Sequence, residues 1–195
     1  MSYFSSTSPG GICEIRWHGR GGQGAITSAK YLAEAAYRAG FRGVTSQPSF
    51  GAERRGAPVT ASTRLSPEPL RTFCRVERPD VVIVLDETLL DCADATDGLE
   101  DGGWLVVNSP CEPGAIAADG RFSVATADAT AVAAECGLVV AGAIMVNTAM
   151  LGAVARATGL VELTHIEETL RDKFPEAIAT RNIEAARAAF ERTRL

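Results

Sequence analysis

The run Asp80-Val81-Val82-Ile83-Val84-Leu85-Asp86 constrains the fold most tightly. Its apolar core has no polar alternation, so a strand made from it buries both faces. Such strands lie in the middle of parallel sheets flanked by helices. The chain around this run therefore has to supply more strands and the helices that connect them.

It does so on both sides. Residues 12–18 read as a first strand, stopped by glycines, and residues 25–39 as a helix. In that helix Ala25, Ala29, Leu32 and Ala36 recur at three- and four-residue spacing, a small-residue face suited to close packing on a sheet. Gly40 is the expected C-cap. A short strand is expected near residues 43–46, followed by a polar loop over 47–56. Residues 57–66 alternate, with Val59, Ala61, Thr63 and Leu65 on one face, as in a strand covered on one side. Residues 104–107 and 122–125 read as two further strands. Helices are expected over 126–136, 141–158, 165–174 and 177–192, with Pro175 as punctuation. The expected architecture is α/β: a three-layer single domain with a mostly parallel central sheet, a Rossmann-like glycine-rich strand–turn–helix start and C-terminal helices. The domain is expected to span 12–195, behind a flexible Ser/Gly/Thr-rich segment over 1–11, read as a frayed leader or as a tail that docks on a partner.

Composition narrows the function. At 195 residues with 46% hydrophobic content the chain can build one sizeable core. A net charge of −5 gives no bulk attraction to nucleic acid or anionic membranes. Arg54, Arg55, Arg64, Arg71, Arg75 and Arg78 nevertheless gather in the first half, which leaves room for a local anion site. Residues 138–150, the longest apolar stretch, are interrupted by Asn147 and too short to span a bilayer. With no basic and apolar start of the secretory kind, a cytoplasmic location is expected. Cys13, Cys74, Cys92, Cys111 and Cys136 contain no C-x-x-C pair, so they read as reduced, buried or half-buried thiols rather than metal or cluster ligands. His18 and His165 read as structural.

Two motifs carry the chemistry. Gly19-Arg20-Gly21-Gly22-Gln23-Gly24 fits G-x-G-x-x-G between a strand and a helix. Glycines let the backbone turn sharply and approach a ligand, and the helix start offers unpaired N–H groups to an anion. Arg20 adds charge. The acid that reads a nicotinamide ribose, about 20 residues on, is missing: Val44-Thr45-Ser46-Gln47 carries no carboxylate. The loop therefore points to a phosphate-bearing ligand or a partner contact more than to a nicotinamide cofactor. In the second motif, Ser49-Phe50-Gly51-Ala52-Glu53-Arg54-Arg55-Gly56-Ala57-Pro58-Val59, two adjacent arginines suit forked hydrogen bonding to a phosphate or carboxylate, with Glu53 placed to fix one of them. Asp86, Glu87, Asp91 and Asp94, just past the central run, read as a helix N-terminal turn. No nucleophile elbow, Walker sequence or metal-ligand cluster is visible.

The two motifs, at this separation and followed by the Asp80–Asp86 run, resemble the γ subunit of pyruvate and related 2-oxoacid:ferredoxin (acceptor) oxidoreductases, over roughly residues 12–190. The Glu-Arg-Arg-Gly-Ala-Pro-Val form resembles the pyruvate-type branch more than the 2-oxoglutarate type. The resemblance implies a subunit, inactive alone, of a complex that decarboxylates a 2-oxoacid on thiamine diphosphate. Such a complex passes electrons through iron–sulfur clusters to ferredoxin or NAD and hands the acyl group to coenzyme A. It implies that thiamine diphosphate, Mg and the clusters reside in partner subunits, the thiamine-binding and ferredoxin-like chains. It implies too that this chain covers the active-site region of the complex and contacts the phosphates of coenzyme A, at the glycine loop and at Glu53, Arg54, Arg55 and Gly56. The competing expectations are a stand-alone NAD(P)-dependent oxidoreductase and a purely structural interaction module.

Overall fold

The computed structural model describes residues 11–48, 56–71, 74–92, 94–116 and 120–195. Residues 1–10 of the expected leader and the segment 49–55, which holds Glu53, Arg54 and Arg55, lie outside the described residues.

One six-stranded sheet organises the chain. Its strands are β1 (Cys13–Arg20), β2 (Gly43–Pro48), β3 (Pro58–Ser66), β4 (Val81–Val84), β5 (Trp104–Asn108) and β6 (Ser123–Ala127), in the order β2-β3-β1-β4-β5-β6. The strands β1, β4, β5 and β6 pair in parallel, whereas β3 is antiparallel to both β1 and β2. The mostly parallel sheet is thus as expected, with an antiparallel pair at one edge.

Both faces of β4 are fully buried, as its apolar run requires. Val81 and Ile83 join Ile15, Trp17, Leu65 and Val106 in the larger core. That core lies under α1 (Ala25–Arg38), α3 (Ala129–Glu135), α4 (Asn147–Thr158), α5 (Leu163–Lys173) and α6 (Glu176–Arg192). Val82 and Val84 face the other way, with Leu105 and Val107, beneath Leu89, Ala95 and Leu99. This third layer is thin: the short α2 (Leu89–Cys92) and irregular chain.

Local signals explain most of these elements. Helix α1 ends in a Schellman motif, with Gly40 at φ 103°, its N–H bonded to the Tyr37 carbonyl, and Phe41 N–H bonded to Ala36. Trp17 is fully buried, its Nε1 donating to Thr63 Oγ1 at 3.1 Å, and Thr63 in turn donates to the Ala29 carbonyl at 3.0 Å. The opposite face of β1 and β3 is polar. Arg64, 1% exposed, is paired through Nε with Glu14 at 2.6 Å, and Arg16 Nε donates to buried His18 Nε2 at 3.1 Å.

Two expected helices begin late. The strand β6 continues through Ala127, and α3 starts only after Asp128, whose side chain accepts the Ala131 N–H at 2.8 Å. The helix expected from residue 141 starts at Asn147 instead. The residues before it form a hairpin, β7 (Val139–Val140) and β8 (Ala143–Ile144), turned by Ala141 and Gly142 at φ 48° and 79°. Positive φ at both central residues marks a tight hairpin turn, and an unbroken apolar run carries no period that would separate it from a helix. Cys74 and Cys111 are exposed, unlike the buried or half-buried thiols expected.

Candidate functional site

The sheet has a topological switch point between β1 and β4. The chain leaves β1 through α1 on one face, and leaves β4 toward α2 on the other. The C-terminal ends of these two neighbouring strands open a crevice there, where open α/β sheets bind ligands. The glycine loop follows β1, and Asp86 follows β4.

Strand β1 runs through Gly19 and Arg20, so the turn proper is Gly21 to Gly24. Gly24 is the N-cap of α1, with φ 82°, no side-chain cap and no acidic residue in the helix's first turn. The first N–H groups of an α-helix have no intrahelical partner and carry the positive end of its dipole. Here Ala25, Ile26 and Thr27 line a cleft of about 740 Å³ together with Arg20, Gly21, Gly22, Gln23 and Gly24. Glycine is required at position 24 for a second reason: a Cβ there would stand 3.0 Å from the Asn147 side chain, at the start of α4. Buried Ser28 ties the same helices, its Oγ bonding the Asn147 carbonyl at 3.1 Å.

The two sequence motifs meet at this cleft. Gly56 N–H donates to the Gly21 carbonyl at 3.0 Å, Gly21 N–H donates to Ala57 at 2.8 Å, and Gly56 lines the cleft. The far lip is apolar, built from Val140, Ile144 and Met145 of the hairpin region, with Val140 62% exposed.

Arg20 offers less free charge than its sequence position suggests. Its Nε lies 3.0 Å from Asp86 Oδ2, Nη2 is 2.6 Å from Thr88 Oγ1, and Nη1 is 3.2 Å from the Gly56 carbonyl. Gln23 closes the loop on itself: its Oε1 accepts the Arg20 N–H at 2.7 Å and its Nε2 donates to Asp86 Oδ2 at 3.1 Å. Asp86 lies, as expected, in the turn that leads into a helix, but it has a second role there. It does accept the Thr88 N–H at 3.1 Å before α2, but the same carboxylate also braces the glycine loop. Its position at the C-terminal end of the central run was the available signal. Partial burial pushes the Asp86 carboxyl up; the hydrogen bonds from Thr88 and Gln23 and the Arg20 charge outweigh this and hold it below the usual value.

The nicotinamide reading loses its structural basis as well as its acid. In dinucleotide-binding sheets the strand after the first helix pairs directly beside the first strand and carries that acid. Here β3 intervenes between β1 and β2. Among the described residues, no group of three His, Cys, Asp or Glu is placed to hold a metal ion, and no helix is long and apolar enough to cross a membrane.

Comparison with known proteins agrees with this architecture. The γ subunit common to the pyruvate and ketoisovalerate oxidoreductases of Thermococcus litoralis is 46% identical over 185 residues, 93% of this chain and 97% of that one. The crystal structure of pyruvate oxidoreductase subunit PORC from Thermotoga maritima superposes with a TM-score of 0.79 at 38% identity, covering 94% of this chain and 97% of that one. The 2-oxoglutarate:ferredoxin oxidoreductase of Magnetococcus marinus, solved with 2-oxoglutarate, coenzyme A and succinyl-CoA bound, matches 92% of this chain and 31% of its own at TM-score 0.70 and 26% identity. The sequence pattern of the pyruvate ferredoxin/flavodoxin oxidoreductases matches residues 14–192, and with it the chain belongs to that family.

Proposed function

We propose that this chain is the γ subunit of a multi-subunit, thiamine-dependent 2-oxoacid:acceptor oxidoreductase, working in the cytoplasm, and that its glycine-loop cleft contacts the phosphates of coenzyme A. The overall reaction converts a 2-oxoacid and coenzyme A to acyl-CoA and CO2, with two electrons passing to ferredoxin or NAD. One observation carries the coenzyme A assignment. The glycine loop and Gly56, from two distant motifs, meet at one rim of the cleft, at the uncapped start of α1.

The donor chemistry fits a phosphate. Backbone N–H groups at a helix start bind anions without a bulky side chain. Arg54 and Arg55 directly precede Gly56 in the sequence, and two adjacent arginines suit forked hydrogen bonding to a phosphate. Asp86, the acid at the site, is matched by Arg20 and is no obstacle to an anion. The apolar lip suits the uncharged part of a coenzyme. The bound coenzyme A and succinyl-CoA of the Magnetococcus marinus relative support this choice of ligand.

Thiamine diphosphate with Mg, and iron–sulfur clusters, supply the decarboxylation and electron transfer of such complexes. We assign these groups to partner chains of the complex, in keeping with the family the chain belongs to, and no step is routed through this one. What this chain contributes is a surface that holds and orients the acyl acceptor, and it is inactive by itself. The 46% identity to a γ subunit shared by pyruvate and ketoisovalerate enzymes favours a small 2-oxoacid as substrate.

The test is the double variant Arg54→Ala/Arg55→Ala in the assembled complex. A raised KM for coenzyme A with the complex intact supports the proposal. Dissociation of the complex, with an unchanged KM in whatever remains assembled, would make the motif an interface device instead.

A further inference from the structure

Both oxygens of Asp86 are occupied, and the donors to Oδ2 come from the glycine loop that lines the cleft. Oδ2 accepts Arg20 Nε at 3.0 Å and Gln23 Nε2 at 3.1 Å. Oδ1 accepts the Thr88 N–H at 3.1 Å and the Thr88 hydroxyl at 2.6 Å. That hydroxyl is in turn the acceptor for Arg20 Nη2, and Arg20 Nη1 reaches the Gly56 carbonyl. A single carboxylate at the end of β4 therefore secures the loop after β1 and, through Arg20, the residue that leads into β3.

The loop needs such an anchor. Gly21, Gly22 and Gly24 have wide conformational freedom, and α1 supplies no capping side chain that would hold the turn from its own end. An untethered loop would have to be ordered when ligand arrives, which weakens binding. The clasp removes that cost in advance. It also neutralises Arg20, so that the glycine loop itself presents backbone N–H groups rather than a free guanidinium.

We propose that Asp86, assisted by Thr88, is the positioning residue of this site: it holds Arg20 and Gln23 so that the glycine loop and Gly56 stay in their ligand-accepting arrangement. Asp86 does not line the glycine-loop cleft, and it acts on that cleft through those two side chains. The effect on coenzyme A rests on the function proposed above, whereas the effect on the loop does not.

The experiment uses the assembled complex carrying Asp86→Asn and, separately, Thr88→Val at an exposed position where folding is not at stake. Two quantities are read: hydrogen exchange in the peptide covering residues 19–26, and KM and kcat with coenzyme A as the varied substrate. Loss of a charge-assisted bond is worth roughly a factor of ten or more. The expected result is loop exchange faster by about that factor and a KM for coenzyme A raised similarly, with kcat within about twofold, the smaller change being in Thr88→Val. Faster exchange with an unchanged KM would uphold the clasp and overturn coenzyme A as the ligand. Unchanged exchange in both variants overturns the proposal. So does a fall in kcat at constant KM, the mark of a pair that merely supports the assembly. If Asp86→Asn fails to assemble, Thr88→Val decides by the same criteria.

Discussion

Gly56 and Gly21 are joined by a backbone hydrogen bond of 3.0 Å, although 35 positions of sequence separate them. With the return bond from Gly21 to Ala57, it extends the β1–β3 pairing past the last strand residues and into the rim of the cleft. Two substitutions at Gly56 separate its roles. A Cβ there meets no atom within 4 Å, so Gly56→Ala should cost only the strain of φ 80°, about 1 kcal/mol. Gly56→Pro also deletes the N–H that bonds Gly21 and forbids the positive φ, and should cost clearly more. Urea unfolding of the purified chain ranks the two; equal losses would mean that the bond to Gly21 contributes nothing.

Gly24→Ala meets two penalties at once. Its φ of 82° is unfavourable for any residue with a side chain, and the new Cβ would lie 3.0 Å from Asn147. Left-handed strain and crowding together predict a loss of roughly 2–4 kcal/mol. The displaced α1 start should also raise the KM for coenzyme A in the assembled complex. Thermal unfolding with an unchanged midpoint would show that the α1–α4 contact is looser than its geometry indicates.

These glycines show which part of the site was legible in the sequence. The G-x-G-x-x-G spacing announces a strand–turn–helix, and the run Val81 to Val84 announces a doubly covered strand, because both are local patterns set by backbone sterics and burial. The meeting of Gly21 with Gly56 depends on β3 pairing antiparallel beside β1, a long-range choice that no local period encodes. Asp86 was ambiguous for a related reason. An acid after a strand serves equally to cap a turn or to bind a distant arginine, and here it does both. The hairpin over 139–144 was hidden because its residues are uniformly apolar, although Gly142 supplied a turn signal.

Stability should depend on pH through His18. Burial, and then the charge of neighbouring Arg16, lower its pKa to about 4 from an ordinary 6.5. The folded state thus resists protonation that the unfolded chain accepts. The sign follows: the contribution of neutral His18 is complete above pH 6.5 and is lost as pH falls toward 4, where the total approaches about 3 kcal/mol. Glu167 adds loss at still lower pH, since its hydrogen bonds from Arg187 hold its carboxyl below the usual range and fail on protonation. Unfolding free energies measured between pH 7 and 4 should fall in wild type, and His18→Gln should flatten that slope. A wild-type curve that is level across this window would show that His18 takes up its proton equally in the folded and the unfolded chain.

The site's rigidity should reach as far as Gly152. In α4 this residue stands against α6 so closely that a Cβ would fall 1.9 Å from the Ala186 carbonyl oxygen and 2.8 Å from its carbon. These are backbone atoms, which cannot rotate aside, so Gly152→Ala has to push the helices apart. Crowding of that kind costs about 3 kcal/mol or more, a drop in melting temperature of about 6–12 °C for a chain of this size. Ala186→Gly should not rescue it, because the clash is with the main chain. The displacement would travel along α4 to Asn147, whose side chain packs on Gly24 and whose carbonyl holds Ser28. Gly152→Ala should therefore raise the KM for coenzyme A without touching the cleft, in complexes assembled below the new melting temperature. A Gly152→Ala chain that melts like wild type would mean that α4 and α6 separate at no cost, and the chain of contacts from Ala186 to the glycine loop would then carry no coupling.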